Sequence, residues 1–134
     1  MDRRDHTYGG AKEDFDLFSP YLADGAIVAF HDTLHEFEGP IRVYVENILR
    51  SNHFGAAAFF HTIAWAQYRP TDGARFRAAR EQLARSAAKL IPFVAEGRPV
   101  KGLRKMRFKL RRALVPHTVL SPAEWNAKIV PQLR

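Results

Sequence analysis

The stretch AIVAFHDT, residues 26–33, most constrains what this chain can fold into. Ile27–Phe30 is a continuous apolar run that follows Gly25 closely. A run of this kind is typical of a strand buried on both faces, as in a parallel sheet. The run ends at His31 and Asp32, and strand ends of an open α/β sheet face the ligand crevice. The stretch therefore predicts an α/β fold with a site at His31 and Asp32.

The flanking segments predict an alternation of helices and strands. Apolar side chains recur at helical spacing over residues 9–22, and again over residues 40–51 after Pro40. Residues 54–69 are rich in aromatic side chains, which favours two strands, at 55–60 and 63–68, joined by a tight turn. The order helix, strand, helix, hairpin predicts the C-terminal half of a doubly wound, Rossmann-like sheet.

The charge of the chain changes sign after Pro70, where Asp72 and Gly73 indicate a boundary. The first 70 residues carry 6 Lys and Arg against 10 Asp and Glu, whereas residues 71–134 carry 15 against 4. Apolar stripes predict helices over residues 74–90 and 100–114, and a capping box at residues 121–124 predicts a last short helix. We therefore expect two parts, residues 1–70 as half of an α/β domain and residues 71–134 as a basic helical extension.

The most basic segment, residues 98–112, has two interpretations. Its dense Lys and Arg with an apolar stripe fit a helix lying on an anionic membrane surface or along nucleic-acid phosphates. The favoured alternative is a helix that packs on the domain through Leu103, Met106 and Leu110 and leaves its charges in water.

Composition excludes several classes of protein. The chain has no cysteine, which excludes a disulfide framework and a thiol nucleophile and fits a reducing compartment. No apolar run approaches the roughly 20 residues of a membrane-spanning helix. The polar start, MDRRDHTYGG, lacks the apolar region of a signal peptide. We expect a cytoplasmic protein.

Three segments carry a family resemblance: DHTYGG at residues 5–10, DFDLFSP at 14–20 and GAIVAFHD at 25–32. Together they resemble the class I S-adenosylmethionine-dependent methyltransferases, and within them the group that methylates oxygen of small molecules or sugars. The resemblance covers roughly residues 4–69. It implies that the cofactor is S-adenosylmethionine and that the acceptor is a small molecule.

The resemblance also implies residue roles. His31 would be the general base that removes a hydroxyl proton, a task that suits a group with a pKa near neutrality. Asp32 would orient the acceptor or a divalent cation, and Asp5, His6 and Tyr8 would contact the cofactor. A structural explanation stays open beside these roles, in which Asp32 caps the following loop and His31 bonds to backbone.

Two departures from the family shape our expectations. Arg3 stands where metal-dependent relatives have an acid, and no G-x-G-x-x-G run is present, although such a loop holds much of the methyl donor. We therefore expect the chain to bind S-adenosylmethionine weakly or not at all and to be inactive alone. An exposed apolar strand edge would favour a homo-oligomer. The alternative function is a non-catalytic remnant, an interaction module whose basic helices bind an anionic partner, a membrane surface or another chain.

Overall fold

The computed structural model describes residues 6–95, 99–116 and 121–134. The helices are α1 (Tyr8–Phe18), α2 (Glu38–Val43), α3 (Arg77–Ala88), α4 (Ile91–Val94), α5 (Gly102–Ala113), α6 (Pro122–Lys128) and α7 (Val130–Leu133). The strands are β1 (Ile27–Phe30), β2 (Phe54–Phe60) and β3 (Ile63–Tyr68). Two 3-10 turns cover Ser19–Tyr21 and Gly73–Phe76, and a π-helical segment, Tyr44–Leu49, continues α2.

The three strands form one sheet in the order β1-β3-β2. The central strand β3 pairs antiparallel with both neighbours, with Val28 opposite Ala66 and Ala58 opposite Trp65. Strands β1 and β2 therefore run in the same direction, and the helical segment between them is the crossover of a β-α-β connection. The α/β class and the hairpin at residues 54–68 are confirmed, whereas a doubly wound, Rossmann-like sheet stays a prediction.

The expectation that Ile27–Phe30 is buried on both faces, as in a parallel sheet, is wrong for the described residues. Strand β1 is an antiparallel edge strand in which Val28 is buried and Ile27 is 51% exposed. The second face of the sheet is covered by the C-terminal helices, which place Ile129 against Ala58 and Trp65 of β2 and β3. The C-terminal helices do not cover β1, so the apolar sequence of β1 did not indicate burial on both faces.

The first face of the sheet packs on the segment after α2. Tyr44 is fully buried there, and its hydroxyl donates a hydrogen bond to the carbonyl of Trp65 (2.7 Å), with the carbonyl oxygen of Ala58 also 3.3 Å from the hydroxyl oxygen. Burial removes the Tyr44 hydroxyl from water, which raises the pKa of Tyr44. Because both carbonyls belong to strands, the Tyr44 hydroxyl ties the helical layer to the sheet.

Residues from both sides of Pro70 share one hydrophobic cluster. Leu83 and Ala87 of α3 and Phe108 of α5 lie in the same cluster as Val28 and Tyr44. The helices predicted over residues 74–90 and 100–114 are confirmed as α3 and α5, α4 is an additional short helix that was not predicted, and the capping box of Ser121 opens α6 as predicted. The division of the chain at residue 70 into two domains stays a prediction.

The predicted packing of α5 through its leucine stripe is wrong. Leu103, Met106 and Leu110 are 63%, 68% and 65% exposed, while Phe108 is buried. Arg104 and Arg112 donate hydrogen bonds to carbonyls of α4 and of the loop after β1, so these two arginines and Phe108 face the domain. None of the helices in the described parts of the chain is long and apolar enough to cross a bilayer.

Candidate functional site

The site is centred on Asp32, the second residue after β1, where the backbone turns sharply. Asp32 has φ +58°, a left-handed conformation that Asp tolerates better than most residues, and its side chain is buried. Thr33 holds the turn in place, because its backbone N–H and its hydroxyl both donate to the carbonyl of Thr62, at 2.9 and 2.8 Å. The loop after β1 is thereby bound to the turn between β2 and β3.

Three histidines converge on the carboxylate of Asp32. The Oδ2 atom lies 2.8 Å from Nδ1 of His31 and 3.1 Å from Nε2 of His6, and Oδ1 lies 3.5 Å from Nε2 of His35. A carboxylate has enough lone pairs to accept all three contacts. The polar site predicted at His31 and Asp32 therefore has two further members. His6 lies 26 residues before Asp32 in the sequence, and His35 lies 3 residues after it.

The environment of Asp32 favours its ionised form. Burial by itself would raise the pKa of Asp32, but hydrogen bonds from His31 and His6, together with the charges of His31 and His35, lower that pKa below its ordinary value. Asp32 is therefore an acceptor-only carboxylate at neutral pH, and it orients whichever imidazole nitrogen carries a proton towards it.

His6 is held by contacts on both sides. Its ring lies 4.3 Å from the ring of Phe37, centroid to centroid. Thr7 is the N-cap of α1, with its side chain accepting from the N–H of Gly10 at 3.1 Å. The backbone of Gly39 passes so close to this segment that a Cβ there would lie 2.3 Å from the carbonyl oxygen of Thr7. The absence of a side chain at Gly39 therefore allows His6 to reach Asp32.

His31 is the most exposed imidazole of the cluster, with 75% of its side chain exposed against 46% for His35 and 10% for His6. When Nδ1 carries the proton and donates it to Asp32, Nε2 is left with a free lone pair. A buried carboxylate behind an exposed imidazole is the arrangement that orients a general base and stabilises the imidazolium it becomes. In the structure the Nδ1 atom of His31 contacts a carboxylate, and a bond from His31 to the backbone stays a prediction.

The residues predicted to contact the cofactor are engaged within the chain. Asp5 lies outside the described residues. His6 contacts Asp32, and the hydroxyl of Tyr8 donates to Glu46 at 2.9 Å while the guanidinium of Arg42 lies 3.9 Å from its ring centroid. The hydrogen bond to Glu46 raises the pKa of Tyr8. Cofactor contact by these residues is supported only by the resemblance.

The prediction of a metal ligand at Asp32 receives no support from the described residues, which contain no group of three or more His, Cys, Asp or Glu side chains able to hold a metal ion. The imidazoles point at the carboxylate rather than at a common centre, and Oδ2 is shared by His6 and His31. The geometry is that of a hydrogen-bonded cluster.

The basic helix α5 borders the site. Arg112 donates to the carbonyl of Leu34 at 3.3 Å, and the ammonium of Lys105 lies 3.6 Å from the carboxylate of Glu36. Both contacts are made to the loop that follows Asp32. The sequence indicated no such proximity, since the partners lie about 70 or more residues apart and neither pair forms a local motif.

Comparison with known proteins identifies no family for this chain. The segments at residues 5–10, 14–20 and 25–32 therefore remain the basis of the resemblance to methyltransferases. Among protein-family models, curated proteins and solved structures, the comparisons found no match for this chain.

Proposed function

We propose that this chain forms the acceptor side of a class I S-adenosylmethionine-dependent O-methyltransferase, in which His31 is the general base. The observation that carries the proposal is the 2.8 Å contact between the buried carboxylate of Asp32 and Nδ1 of the exposed His31. The resemblance supports the same two residues independently, because its third segment ends at them.

The chemistry on the acceptor side follows from the orientation of His31. A hydroxyl group of the small molecule or sugar would donate its hydrogen bond to Nε2, and the proton would move to that nitrogen as the oxygen becomes a nucleophile. Asp32 would hold the imidazole in the productive tautomer and stabilise its positive charge. S-adenosylmethionine would supply the methyl group, and the described residues act on the acceptor alone.

The position of the cluster supports an acceptor site at this end of the sheet. His31 and Asp32 are the first two residues after β1, and Thr33 joins that end of the strand to the turn after β2. Because β1 and β2 run in the same direction, this edge contains the carboxyl ends of both strands, where open α/β sheets bind ligands.

Imidazole NMR tests the proposal on the whole chain. Phenols, catechols and monosaccharides are titrated into the protein while the ring nitrogens of its histidines are observed. We expect the signals of His31 to shift and those of His53, beside the opposite end of β2, to stay unchanged. Both His31→Ala and Asp32→Asn should abolish acceptor binding, whereas His53→Ala should retain it.

Two outcomes would contradict the proposal. One is the absence of any effect of hydroxyl compounds on His31, and the other is binding that persists unchanged in Asp32→Asn. Calorimetry with S-adenosylmethionine is the companion measurement, for which the lack of a Gly-rich loop predicts weak binding or none. Tight binding of S-adenosylmethionine by this chain would contradict the expectation of weak binding. It would not affect the test of His31.

A further inference from the structure

Helix α5 exposes an apolar stripe. Its members share one side of the helix, because they recur at intervals of three or four residues, and all are more than three-fifths exposed: Leu103, Met106, Leu110 and Leu114. Isolated exposed leucines are ordinary on a protein surface, but a contiguous row of large apolar side chains indicates an interaction site.

The orientation of α5 is fixed by contacts on its other side. Phe108 is buried in the core, and Arg112 donates to the carbonyl of Leu34 at 3.3 Å. Arg104 donates to the carbonyls of Pro92 and Phe93, at 2.6 and 2.7 Å. The stripe cannot rotate into the core without breaking these hydrogen bonds and exposing Phe108.

The charge around the stripe has a single sign. Helix α5 contains six Lys and Arg residues and no acidic residue. Arg107, Lys109 and Arg111 are exposed and form no salt bridge with a carboxylate in the described parts of the chain. A partner that covers this helix must therefore present apolar groups to the stripe and negative charge to its flanks.

An anionic bilayer surface meets both requirements, and the other occupants meet one each. A second copy of α5 would bring twelve cations together across a two-fold axis, since each helix contributes six. Nucleic acid would pair with the cations but leave the leucines in water. A bilayer containing acidic lipids offers acyl chains beneath a layer of phosphate and carboxylate groups.

We propose that α5 docks this protein on an anionic lipid surface. The helix lies in the plane of the bilayer, with Leu103, Met106 and Leu110 at the boundary of the acyl chains and its flanking cations among the headgroups. Its 12 residues are about 18 Å long, which suits a helix lying flat and is too short to span a core of about 30 Å. This surface is on the side of α5 away from the Asp32 loop, and the inference does not depend on methyl transfer.

Flotation with lipid vesicles tests the proposal on the full chain. Vesicles of phosphatidylcholine with about one-third phosphatidylserine, close to physiological ionic strength of about 0.15 M, are compared with vesicles of phosphatidylcholine alone. We expect binding to the acidic vesicles, weakened by added salt, and no binding to the neutral ones. Absence of binding to the acidic vesicles would overturn the proposal.

Two triple variants separate the apolar and electrostatic parts. Leu103→Ser, Met106→Ser and Leu110→Ser together keep every charge, and Arg107→Gln, Lys109→Gln and Arg111→Gln together keep every apolar group. Each set should weaken vesicle binding by more than about tenfold. All six side chains are exposed, so both variants should keep the circular dichroism spectrum and melting temperature of the parent.

Matched controls and competing occupants complete the design. Leu17→Ser and Arg85→Gln change an exposed leucine and an exposed cation outside α5 and should leave vesicle binding unchanged. Vesicle binding insensitive to the serine variant would overturn insertion of the stripe. Binding of an oligonucleotide that competes fully with the vesicles, or self-association lost in the serine variant, would assign the face to nucleic acid or to a second copy instead.

Discussion

At the scale of single residues, the carboxylate of Asp32 organises the site. Its contacts with His31 and His6 join the start of the described chain to the end of β1. The sequence could predict His31 and Asp32, because they follow an apolar run, but it could not predict that His6 and His35 join them. That outcome depends on the left-handed backbone at Asp32 and on the close approach at Gly39, which no pattern of residue types encodes.

The first prediction concerns the pH dependence of stability through Asp32. Folding lowers the pKa of Asp32 from its ordinary value of 3.8, so the ionised carboxylate stabilises the folded state. This stabilisation is fully present above pH 3.8 and is lost as the pH falls through the folded pKa. Asp32→Asn keeps a side chain that tolerates the left-handed backbone and removes the charge. At neutral pH, where Asp32 of the parent is ionised, we expect the variant to have a lower unfolding free energy than the parent.

The same difference should shrink below pH about 4, where Asp32 of the parent gains its proton. Urea denaturation at a series of pH values measures it, with Asp14→Asn as the control because Asp14 is exposed. A difference that grows on acidification would mean that the carboxylate destabilises the folded state.

The second prediction concerns Gly39. A Cβ at this position would lie 2.3 Å from the carbonyl oxygen of Thr7 and 2.5 Å from that of His6, both backbone atoms that cannot rotate away. We expect Gly39→Ala to cost roughly 1–3 kcal/mol of stability and to separate His6 from Asp32. Chemical denaturation measures the first effect, and the NMR signals of the His6 ring measure the second.

Gly9 provides the matched control for that substitution. It lies in α1 with nothing within 4 Å of the position of a Cβ. Gly9→Ala should therefore be neutral or stabilise the protein, by up to about 1 kcal/mol, because alanine favours the helix. Equal effects of the two substitutions would show that the close approach at Gly39 is unimportant.

At the scale of elements, most helices and strands follow from local patterns, whereas their orientation does not. The capping box at Ser121 and the hairpin at residues 54–68 are local signals, and both occur where predicted. The orientation of α5 was wrongly predicted because its stripe of Leu103, Met106 and Leu110 is the most hydrophobic side. Hydrogen bonds from Arg104 and Arg112 to distant carbonyls decide the orientation instead, and helical periodicity contains no information about them.

The third prediction tests which side of α5 holds the helix. Phe108 is 1% exposed in the core, so Phe108→Ala should cost about 3–5 kcal/mol of unfolding free energy. Leu110→Ala removes a side chain that is 65% exposed and should change the free energy by less than about 0.5 kcal/mol. Thermal or urea denaturation compares the two, and a larger loss for Leu110→Ala would show that the stripe faces inward in solution.

At the scale of the whole molecule, one core joins the acidic and basic halves. Leu83 and Phe108 share a cluster with Val28 and Tyr44, so the basic helices contribute to the folding of the sheet as well as to the charge of the surface. The sequence predicted the change of charge at residue 70 but not this shared core. The charge of each half can be counted from the sequence, whereas contacts between distant segments depend on which side of each helix faces the core.

The last prediction is the homo-oligomer expected from the open strand edge. Strand β1 is at one end of the sheet order β1-β3-β2, and its second edge pairs with no strand in the described parts of the chain. Ile27 on this strand is 51% exposed. A short apolar edge of this kind is a template for pairing with another chain, and a two-fold axis would join two such edges into a six-stranded sheet. We therefore expect a dimer through β1, which sedimentation equilibrium at micromolar concentration measures.

The substitution Ile27→Lys tests that interface directly. A lysine on each copy would place like charges beside the two-fold axis, and charged side chains on an edge strand oppose edge-to-edge pairing. The variant should be a monomer with an unchanged circular dichroism spectrum, because Ile27 is exposed and lies outside the core. The control is Leu110→Lys, which adds the same charge on α5, away from β1, and should remain dimeric. A parent chain that sediments as a stable monomer of 15.3 kDa with a cooperative melt would contradict the prediction, since it would show that three strands and their helices form a complete fold without a partner.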